Sequence, residues 1–391
     1  METTFFHDTR FIYNGKDYYT RGSLNQEKFN EYKKYFGNIT VVSRQENLKD
    51  SNISCIVSKN KLQGINFITV NSKYKGVIKK VKEQVRNTDF AIVRLPSFIG
   101  ITALHYLKKY NKKYIIEMVG CAFDAFWNYG NIQGKMVAPI MYILNRYYIK
   151  NADNVLYVSN EFLQKRYPNK KNSIGCSDVN ISISSEQNLR KRLEKIENRK
   201  KNSIVKIGLI GSLNVKYKGH KTAIKALSKL KDKYNIELHF LGAGDKENFE
   251  KIIKKYNVEK NVIFDGTLPS GQEVYKWMDG IDIYIIQSLT EGMPRALIEA
   301  MSRGCPCIGT DVGGITEILP KEMLINKKDY KQLVEKIINL LNDKEKIKKY
   351  ATLNFLKAQQ FEYEKLKKKK EKFYYEILKE VNNEKGITHC K

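Results

Sequence analysis

From Ser288 to Ile318 the chain reads SLTEGMPRALIEAMSRGCPCIGTDVGGITEI. An apolar strand ends just before this stretch, the turn TEGM follows, and a helical pattern begins at Pro294, a residue suited to the first helical position. A second short strand and a glycine pair complete it. Such a unit is typical of parallel sheets, whose ligands bind beyond the carboxyl ends of the strands. We therefore expect Glu291, in the turn, to face that edge of a sheet.

The same alternation of β-branched apolar runs and amphipathic helical patterns extends along the whole chain, which predicts an α/β fold. The strands predicted in the first half are Ile39 to Ser43, Ile65 to Val70, Phe90 to Arg94, Tyr114 to Met118 and Val155 to Ser159. A highly charged segment between Ser185 and Asn202 predicts a domain boundary. We expect domains at residues 1–195 and 203–350, followed by a segment at 351–391 whose apolar spacing predicts one long amphipathic helix.

Composition limits the function class. The 391 residues contain 70 Lys and Arg against 42 Asp and Glu, a formal charge of +28. Three interpretations of this excess stay open: a lysine-rich composition without function, attraction to an anionic membrane surface and, least favoured, nucleic-acid binding. The six cysteines lack metal-ligand spacing, so no metal site is expected. Neither a leader nor a membrane-spanning run is evident, which predicts a cytoplasmic protein, bound to a membrane only peripherally.

Two carboxylates flank the start of the helix at Pro294. Its free N–H groups could hold an anion, and Glu299, about one and a half turns along, could accept hydrogen bonds from a polyol beside that anion. The pattern equally fits Glu291 as a helix cap and Glu299 as a solvated surface residue. From the residues alone, both interpretations stay open.

The run EGMPRALIE resembles the E-x7-E signature of retaining glycosyltransferases of family 4, which have the GT-B fold. The resemblance continues in register through IGLIGSL, YKG, FLGAG, FDGTLP and GTDVGGITEI. In the first half, RLPS, IIEMVGCAFDAFWNYG and NADNVLYVSNEFLQKRYP are similar to the bacterial capsule and exopolysaccharide branch. The resemblance implies two Rossmann-like domains facing across a cleft, with a C-terminal helix crossing back to the first.

The resemblance also implies roles in the second domain. Glu291 would face the hydroxyls of the transferred sugar, Glu299 the ribose hydroxyls, and Lys218 the leaving diphosphate, which an ammonium can stabilise where no metal is bound. Ser212 stands where many relatives have an arginine, so Lys216, Arg295 or a first-domain residue would substitute for it. The full donor-binding set is Gly211, Ser212, Lys218, Leu268, Glu291, Gly292, Met293, Arg295, Ala296 and Glu299.

Fewer residues are assigned in the first domain. Many relatives have a histidine at the end of the strand at Tyr114 to Met118, but this chain has Glu117 and Met118 there. Asp124 is a candidate catalytic group for the cleft, or else an ordinary loop residue near a helix start. Gly22 and Arg94 are expected on the acceptor side. The histidines, including His220, fit no catalytic arrangement and are interpreted as structural or surface residues.

The function expected from the resemblance is retaining transfer of a hexose-type sugar from a UDP- or GDP-linked donor to a lipid-linked saccharide, in cell-surface polysaccharide synthesis at the inner face of the membrane. Neither a cofactor nor a metal is expected, and nucleic acid is not expected as a partner. Two alternatives remain: transfer to a small soluble acceptor, and a non-enzymatic basic protein that binds anionic surfaces.

Overall fold

The computed structural model describes residues 1–20, 24–47, 61–70, 74–128, 131–179, 181 and 185–384. The strands are β1 Glu2–Tyr13, β2 Tyr18–Tyr19, β3 Asn38–Asn47, β4 Lys61–Leu62, β5 Asn66–Thr69, β6 Phe90–Leu95, β7 Lys113–Met118, β8 Asn154–Tyr157, β9 Asn172–Gly175, β10 Val205–Ile210, β11 Ile236–Leu241, β12 Val262–Gly266, β13 Ile283–Ile286, β14 Cys307–Thr310 and β15 Leu324–Ile325. The helices are α1 Gln26–Phe36, α2 Tyr74–Arg86, α3 Phe98–Lys109, α4 Ala122–Trp127, α5 Ile132–Asn151, α6 Phe162–Arg166, α7 Glu186–Glu197, α8 His220–Leu227, α9 Glu247–Lys255, α10 Gln272–Gly280, α11 Arg295–Ser302, α12 Tyr330–Leu341, α13 Lys344–Ala358 and α14 Tyr363–Glu384.

The chain divides into two compact units. Unit 1 contains residues 1–126, 136–178 and the chain from Lys368 onward, and unit 2 contains residues 127–135 and 179–367. Each unit has its own sheet of mostly parallel strands with helices between them. The predicted α/β class is therefore confirmed, and the final helix α14 has the predicted amphipathic character, burying Phe373, Tyr374 and Ile377 while its lysines stay largely exposed.

The described strands of unit 1 form a sheet whose parallel part runs β5-β3-β1-β6-β7-β8-β9, with β2 and β4 paired antiparallel at one end of β1. Its central strand, β1, was not predicted from the sequence. Phe5, Phe6, Phe11 and Ile12 of this strand are all buried. Between its two apolar pairs lies the polar run from His7 to Arg10, where the pairing with β3 changes register. This polar run makes the strand hard to recognise in the sequence, because it interrupts the alternation of apolar and polar residues by which strands are identified.

Unit 2 has a six-stranded parallel sheet in the order β12-β11-β10-β13-β14-β15 within the described part of the chain. Numbered within the unit this is 3-2-1-4-5-6, the Rossmann order. The order reverses between β10 and β13, which pair through Ile207 with Ile283 and Gly208 with Tyr284. Strands that diverge from such a point leave a crevice beyond their carboxyl ends, where nucleotides bind. A nucleotide-binding site is therefore expected at the loops after β10 and β13.

Both faces of this sheet are covered. Ile207, Leu238 and Ile283 belong to the core on one face, and Tyr284 and Ile286 belong to the core on the other. In the described residues, no helix is both long and apolar enough to cross a membrane.

Candidate active site

The loops after β10 and β13 bring Lys218 and Glu291 together. The Lys218 ammonium donates to Oε1 of Glu291 at 2.6 Å, and the Ser288 hydroxyl donates to the same oxygen at 2.6 Å. Both side chains of the ion pair are largely shielded, with exposures of 24% for Lys218 and 12% for Glu291. The hydrogen bonds of Glu291 thus go to a cation and a hydroxyl, and the start of α11 has no side-chain cap. This contact connects the two loops at the point where the strand order reverses.

Gly219 allows Lys218 to reach this position. Residues Lys216–Lys218 form a single turn of 3-10 helix, which ends at Gly219 in the left-handed conformation with φ of 77°. A Cβ at residue 219 would collide with the main-chain oxygen of Gln287, so only glycine lets this turn approach the end of β13. The contact is completed by the Leu289 N–H, which donates to the Tyr217 carbonyl at 2.8 Å.

A second glycine holds the Glu291 loop from the other side. Gly313, in DVGG, has a φ of 52°, and a Cβ there would collide with the carbonyl oxygen of Glu291. The Gly314 N–H donates to that oxygen at 3.3 Å. Thr310, at the end of β14, donates its hydroxyl to the Ser288 carbonyl at 2.5 Å. Sequence analysis missed these supporting residues, although the glycine pair of DVGG was a visible signal of a close backbone approach.

Helix α11 begins one residue later than predicted. Pro294 has a ψ of 90°, which is not helical, so it lies at the N-cap rather than at the first helical position. The helix covers Arg295–Ser302, and its first turn is preceded directly by Glu291, Gly292 and Met293. The first N–H groups of a helix lack intrahelical partners, so the start of a helix is suited to an anion, and the binding of the diphosphate at this start remains a prediction.

Glu299 lies on α11 in a half-buried position. Burial raises the pKa of its carboxyl above the ordinary value, and the neighbouring Arg295 guanidinium offsets part of that rise. A carboxylate held in such an environment costs free energy in the folded chain unless a ligand donates hydrogen bonds to it. Glu299 is therefore not a fully solvated helical residue. Its half-buried position is suited to a carboxylate that accepts hydrogen bonds from the hydroxyls of a ligand.

His220, the histidine nearest to this site in sequence, is structural. Its ring is buried against Phe240 and Phe249, at centroid distances of 4.9 and 5.3 Å. Burial lowers its pKa to about 4, so the ring is neutral at physiological pH. Its Nε2 lies 3.3 Å from the Gly211 carbonyl. The ring therefore contacts the loop after β10 and has a structural role.

Residues 188–353 match the family model described as glycosyl transferases group 1. Over 99% of both chains, the sequence is 34% identical to protein CapJ of Staphylococcus aureus. The chain belongs to the group 1 glycosyltransferases. It is accordingly a nucleotide-sugar-dependent transferase, as the E-x7-E resemblance predicted, and the segment matched by the family model contains Lys218, Glu291 and Glu299.

Solved structures show that this glycosyltransferase has the GT-B fold. Sucrose-phosphate synthase from Thermosynechococcus elongatus aligns with a TM-score of 0.68 at 14% identity, covering 97% of this chain and 99% of that one. HepE of Anabaena, solved in complex with UDP-glucose, aligns with a TM-score of 0.64 at 14% identity, covering 98% of this chain and all of the other. The predicted fold family is therefore confirmed.

Other residues assigned to donor binding lie in the same unit of the glycosyltransferase. Gly211 and Ser212 follow β10 directly, and the main chain of Gly211 passes close to the stem of Lys218. Leu268 lies two residues beyond β12 and is 37% exposed, and Lys216 is exposed in the turn that ends at Gly219. Ala296 is half-buried in the first turn of α11, whereas Arg295 points to the surface. Direct donor contacts of these residues remain predictions.

In unit 1, Arg94 does not present a free cation. Its guanidinium donates to Glu117 Oε2 at 2.8 Å and to Asp178 Oδ2 at 2.6 Å, and it is only 5% exposed. Burial alone would raise the pKa of Asp178, but the Arg94 charge holds it well below its usual range. The Tyr32 hydroxyl donates to both oxygens of Glu117, at 2.9 and 2.8 Å. Any role of Arg94 toward the acceptor would therefore be indirect, through this buried cluster.

The remaining first-domain candidates are Asp124 and Gly22. Asp124 lies in the first turn of α4 and faces Arg166, with 3.5 Å between Oδ1 and Nη2. Its catalytic role remains a prediction. Gly22 lies outside the described residues. Glu117, in the strand near whose end many relatives have a histidine, is fully buried in β7 and accepts hydrogen bonds from Arg94 and Tyr32, so it belongs to this cluster.

Proposed function

We propose that this glycosyltransferase moves a hexose-type sugar from a UDP- or GDP-linked donor to a lipid-linked saccharide acceptor, with retention of anomeric configuration and without a metal ion. The observation that carries the proposal is the Lys218–Glu291 contact beside the start of α11. It joins a cation, a carboxylate and a set of free N–H groups at the crevice of a Rossmann sheet. A diphosphate attached to a sugar is complementary to all three.

In the proposed reaction the diphosphate binds to the N–H groups at the start of α11 and to the Lys218 ammonium. Glu299 accepts hydrogen bonds from the ribose, and Glu291 accepts them from the sugar hydroxyls. The bond between the anomeric carbon and the diphosphate oxygen breaks, and the acceptor oxygen bonds to that carbon on the same face. The acceptor proton passes to the departing diphosphate. Lys218 stabilises the charge that develops on this leaving group, a role that metal ions fill in other transferases.

The acceptor class is inferred from the similarity to CapJ and from the net charge of the chain. The likeness to CapJ extends over 99% of both proteins, which supports a role in making a cell-surface polysaccharide of the capsule type. The formal charge of +28 favours attraction of the enzyme to a membrane surface that contains anionic lipid. We accordingly place the reaction in the cytoplasm, at the inner face of the membrane.

The test uses a radiolabelled nucleotide sugar and a lipid extract from a capsule-forming bacterium. We expect label in the organic phase, in a product whose anomeric configuration by NMR equals that of the donor sugar, with EDTA present throughout. Label appearing only in water-soluble product would identify a soluble acceptor instead. Inverted configuration, or loss of transfer in EDTA, would contradict retention or metal independence, respectively. No transfer of any kind, with either acceptor class, would overturn the proposal as a whole.

A further inference from the structure

Helix α5 carries large apolar side chains on a solvent-exposed face. Met136, Ile140, Ile143 and Tyr147 are exposed by 71%, 58%, 64% and 48%. Their spacing of four, three and four residues places them along one side of the helix. We call these four residues the α5 stripe. The opposite face is also apolar and packs inward through Ala138, Met141 and Ile149, all at most 1% exposed.

A helix that is apolar on both faces is normally covered on both. Folding of unit 1 covers only one face of α5. Leaving four large apolar side chains in water is unfavourable relative to burying them, so this face is suited to a partner. The charges around the stripe indicate the chemical class of that partner.

Basic residues outnumber acidic ones beside the stripe in the described part of the chain. Helix α5 and the neighbouring α3 contain no Asp or Glu in their 20 and 12 residues. Cations border the stripe at its C-terminal end, where Lys108, Lys109, Arg146 and Lys150 are all exposed. Asp153, which follows α5, is occupied by an ion pair with Lys171 at 2.5 Å. An anionic partner would therefore meet attraction along this whole border.

Tyr147 joins the stripe to its basic border. Its hydroxyl accepts a hydrogen bond from the Lys108 ammonium at 2.7 Å, and the ammonium lies 4.9 Å from the ring centroid. The ring thus has an apolar body beside Ile143 and a polar tip beside a cation. Tyrosines with this arrangement are favoured where hydrocarbon meets lipid headgroups.

We propose that the α5 stripe docks this chain on an anionic phospholipid bilayer, lying in the interface while Lys108, Lys109, Arg146 and Lys150 contact the headgroup phosphates. A second copy of the chain fits less well. A stable protein interface uses about 20 to 30 residues from each side, far more than the four residues of this stripe. The inference deepens the proposed function, because it places the enzyme where a lipid-linked acceptor would be.

The test is co-sedimentation of the full chain with vesicles, in the absence of nucleotide sugar. We expect binding to vesicles of phosphatidylcholine with about one third phosphatidylglycerol, and at least tenfold weaker binding to phosphatidylcholine alone or in 0.5 M NaCl, since each Lys or Arg near an anionic surface contributes about 1 kcal/mol. Ile140→Ser/Ile143→Ser should lower the partition coefficient about tenfold or more, because two inserted side chains are lost. Arg146→Gln/Lys150→Gln should also lower it about tenfold on the anionic vesicles.

The matched control is Leu353→Ser/Leu356→Ser, which removes two aliphatic side chains, 43% and 52% exposed, from α13 in unit 2. It should bind vesicles within about twofold of wild type. Equal binding by wild type and Ile140→Ser/Ile143→Ser would overturn the inference, as would absence of binding by wild type. A wild-type dimer by light scattering that becomes monomeric in that variant would assign the stripe to a second copy instead. Lys218→Ala, which should lack transferase activity, should still bind vesicles, so docking and catalysis can fail separately.

Discussion

The Lys218 ammonium and the Glu291 carboxylate, 73 residues apart in sequence, meet at 2.6 Å where the strand order of the second sheet reverses. In this arrangement each charge neutralises the other. A bound diphosphate would compete with the carboxylate for Lys218, and the sugar hydroxyls would then become the partners of Glu291. The ion pair therefore keeps both groups in position for a donor that brings its own anion and its own hydroxyls.

Replacing Lys218 tests the leaving-group role. Lys218→Met keeps much of the apolar stem but removes the charge, so the developing negative charge on the diphosphate loses its stabilisation. We expect kcat to fall about 100-fold or more, with a smaller change in KM, because the contact is stronger in the transition state. Steady-state release of nucleoside diphosphate is the measurement.

Lys251→Met is the matched control for that variant. Lys251 is an exposed lysine of α9 in the same unit, so its removal changes the net charge equally without touching the loops after β10 and β13. Its rate should stay within about twofold of wild type. A comparable loss in both variants would show that overall charge, rather than the Lys218 contact, governs the rate.

Glu299→Gln tests the pH dependence of donor binding. Burial raises the pKa of Glu299, so its carboxylate takes up a proton at a higher pH than an ordinary glutamate and then accepts hydrogen bonds less well. We expect the donor KM of wild type to rise as the pH falls through that raised pKa. The glutamine variant should have a higher donor KM at neutral pH and should lack this acidic rise.

The same substitution has a consequence for stability. Because the folded-state pKa of Glu299 lies above the unfolded value, the ionised carboxylate destabilises the folded chain at neutral pH. Glu299→Gln should therefore raise the melting temperature at pH 7. The gain should shrink as the pH is lowered, since wild-type Glu299 then becomes neutral as well. A variant less stable than wild type at pH 7 would show that the carboxylate has a structural partner.

Gly313→Ala tests the support of the Glu291 loop. The φ of 52° and the collision of a Cβ with the Glu291 carbonyl should force the loop to shift. We expect a loss of about 2 kcal/mol or more in stability, seen as a lower melting temperature, together with reduced activity. Gly280→Ala is the control: a Cβ there meets nothing within 4 Å, so its melting temperature should be unchanged or slightly higher.

Arg94→Met tests whether the buried cluster of unit 1 is structural. Its loss leaves Glu117 and Asp178 buried without the cation that donates hydrogen bonds to both, while Lys28 and Lys370 still act on Asp178, and it should cost about 3 kcal/mol or more. The melting temperature should fall sharply, while donor hydrolysis per folded molecule should stay near wild type at low temperature. An unchanged melting temperature with loss of transfer to the acceptor would instead assign Arg94 a direct acceptor contact.

The regular parts of the fold were predictable because the strands of the second unit are rich in apolar residues and the helices between them are amphipathic. Strand β1 was not, since the polar run from His7 to Arg10 coincides with a change of pairing register. The start of α11 was misplaced by one residue, because the frequency of proline at first helical positions does not reveal the ψ that Pro294 adopts. Local sequence reports helical periodicity, but not the tertiary contacts that set a backbone angle.

For the site, the motifs identified Lys218 and Glu291 but not their contact. A sequence shows no distance between residues so far apart, and the roles of Ser288 and Gly313 follow only from how the loops meet. Glu117 was noticed because many relatives have a histidine near the end of its strand. Its burial with Arg94 and Tyr32 depends on strand order, which sequence patterns do not determine.

The most direct test of the central claim is release of nucleoside diphosphate from a panel of UDP- and GDP-linked sugars in EDTA, comparing wild type with Glu291→Gln. We expect wild type to consume one donor in EDTA, and we expect the variant, which keeps the size of the side chain but loses its charge, to be about 100-fold slower or more. Consumption of that donor at equal rates by both proteins would contradict the assignment of this site, and so would a wild-type protein that neither consumes any donor nor gains thermal stability from one.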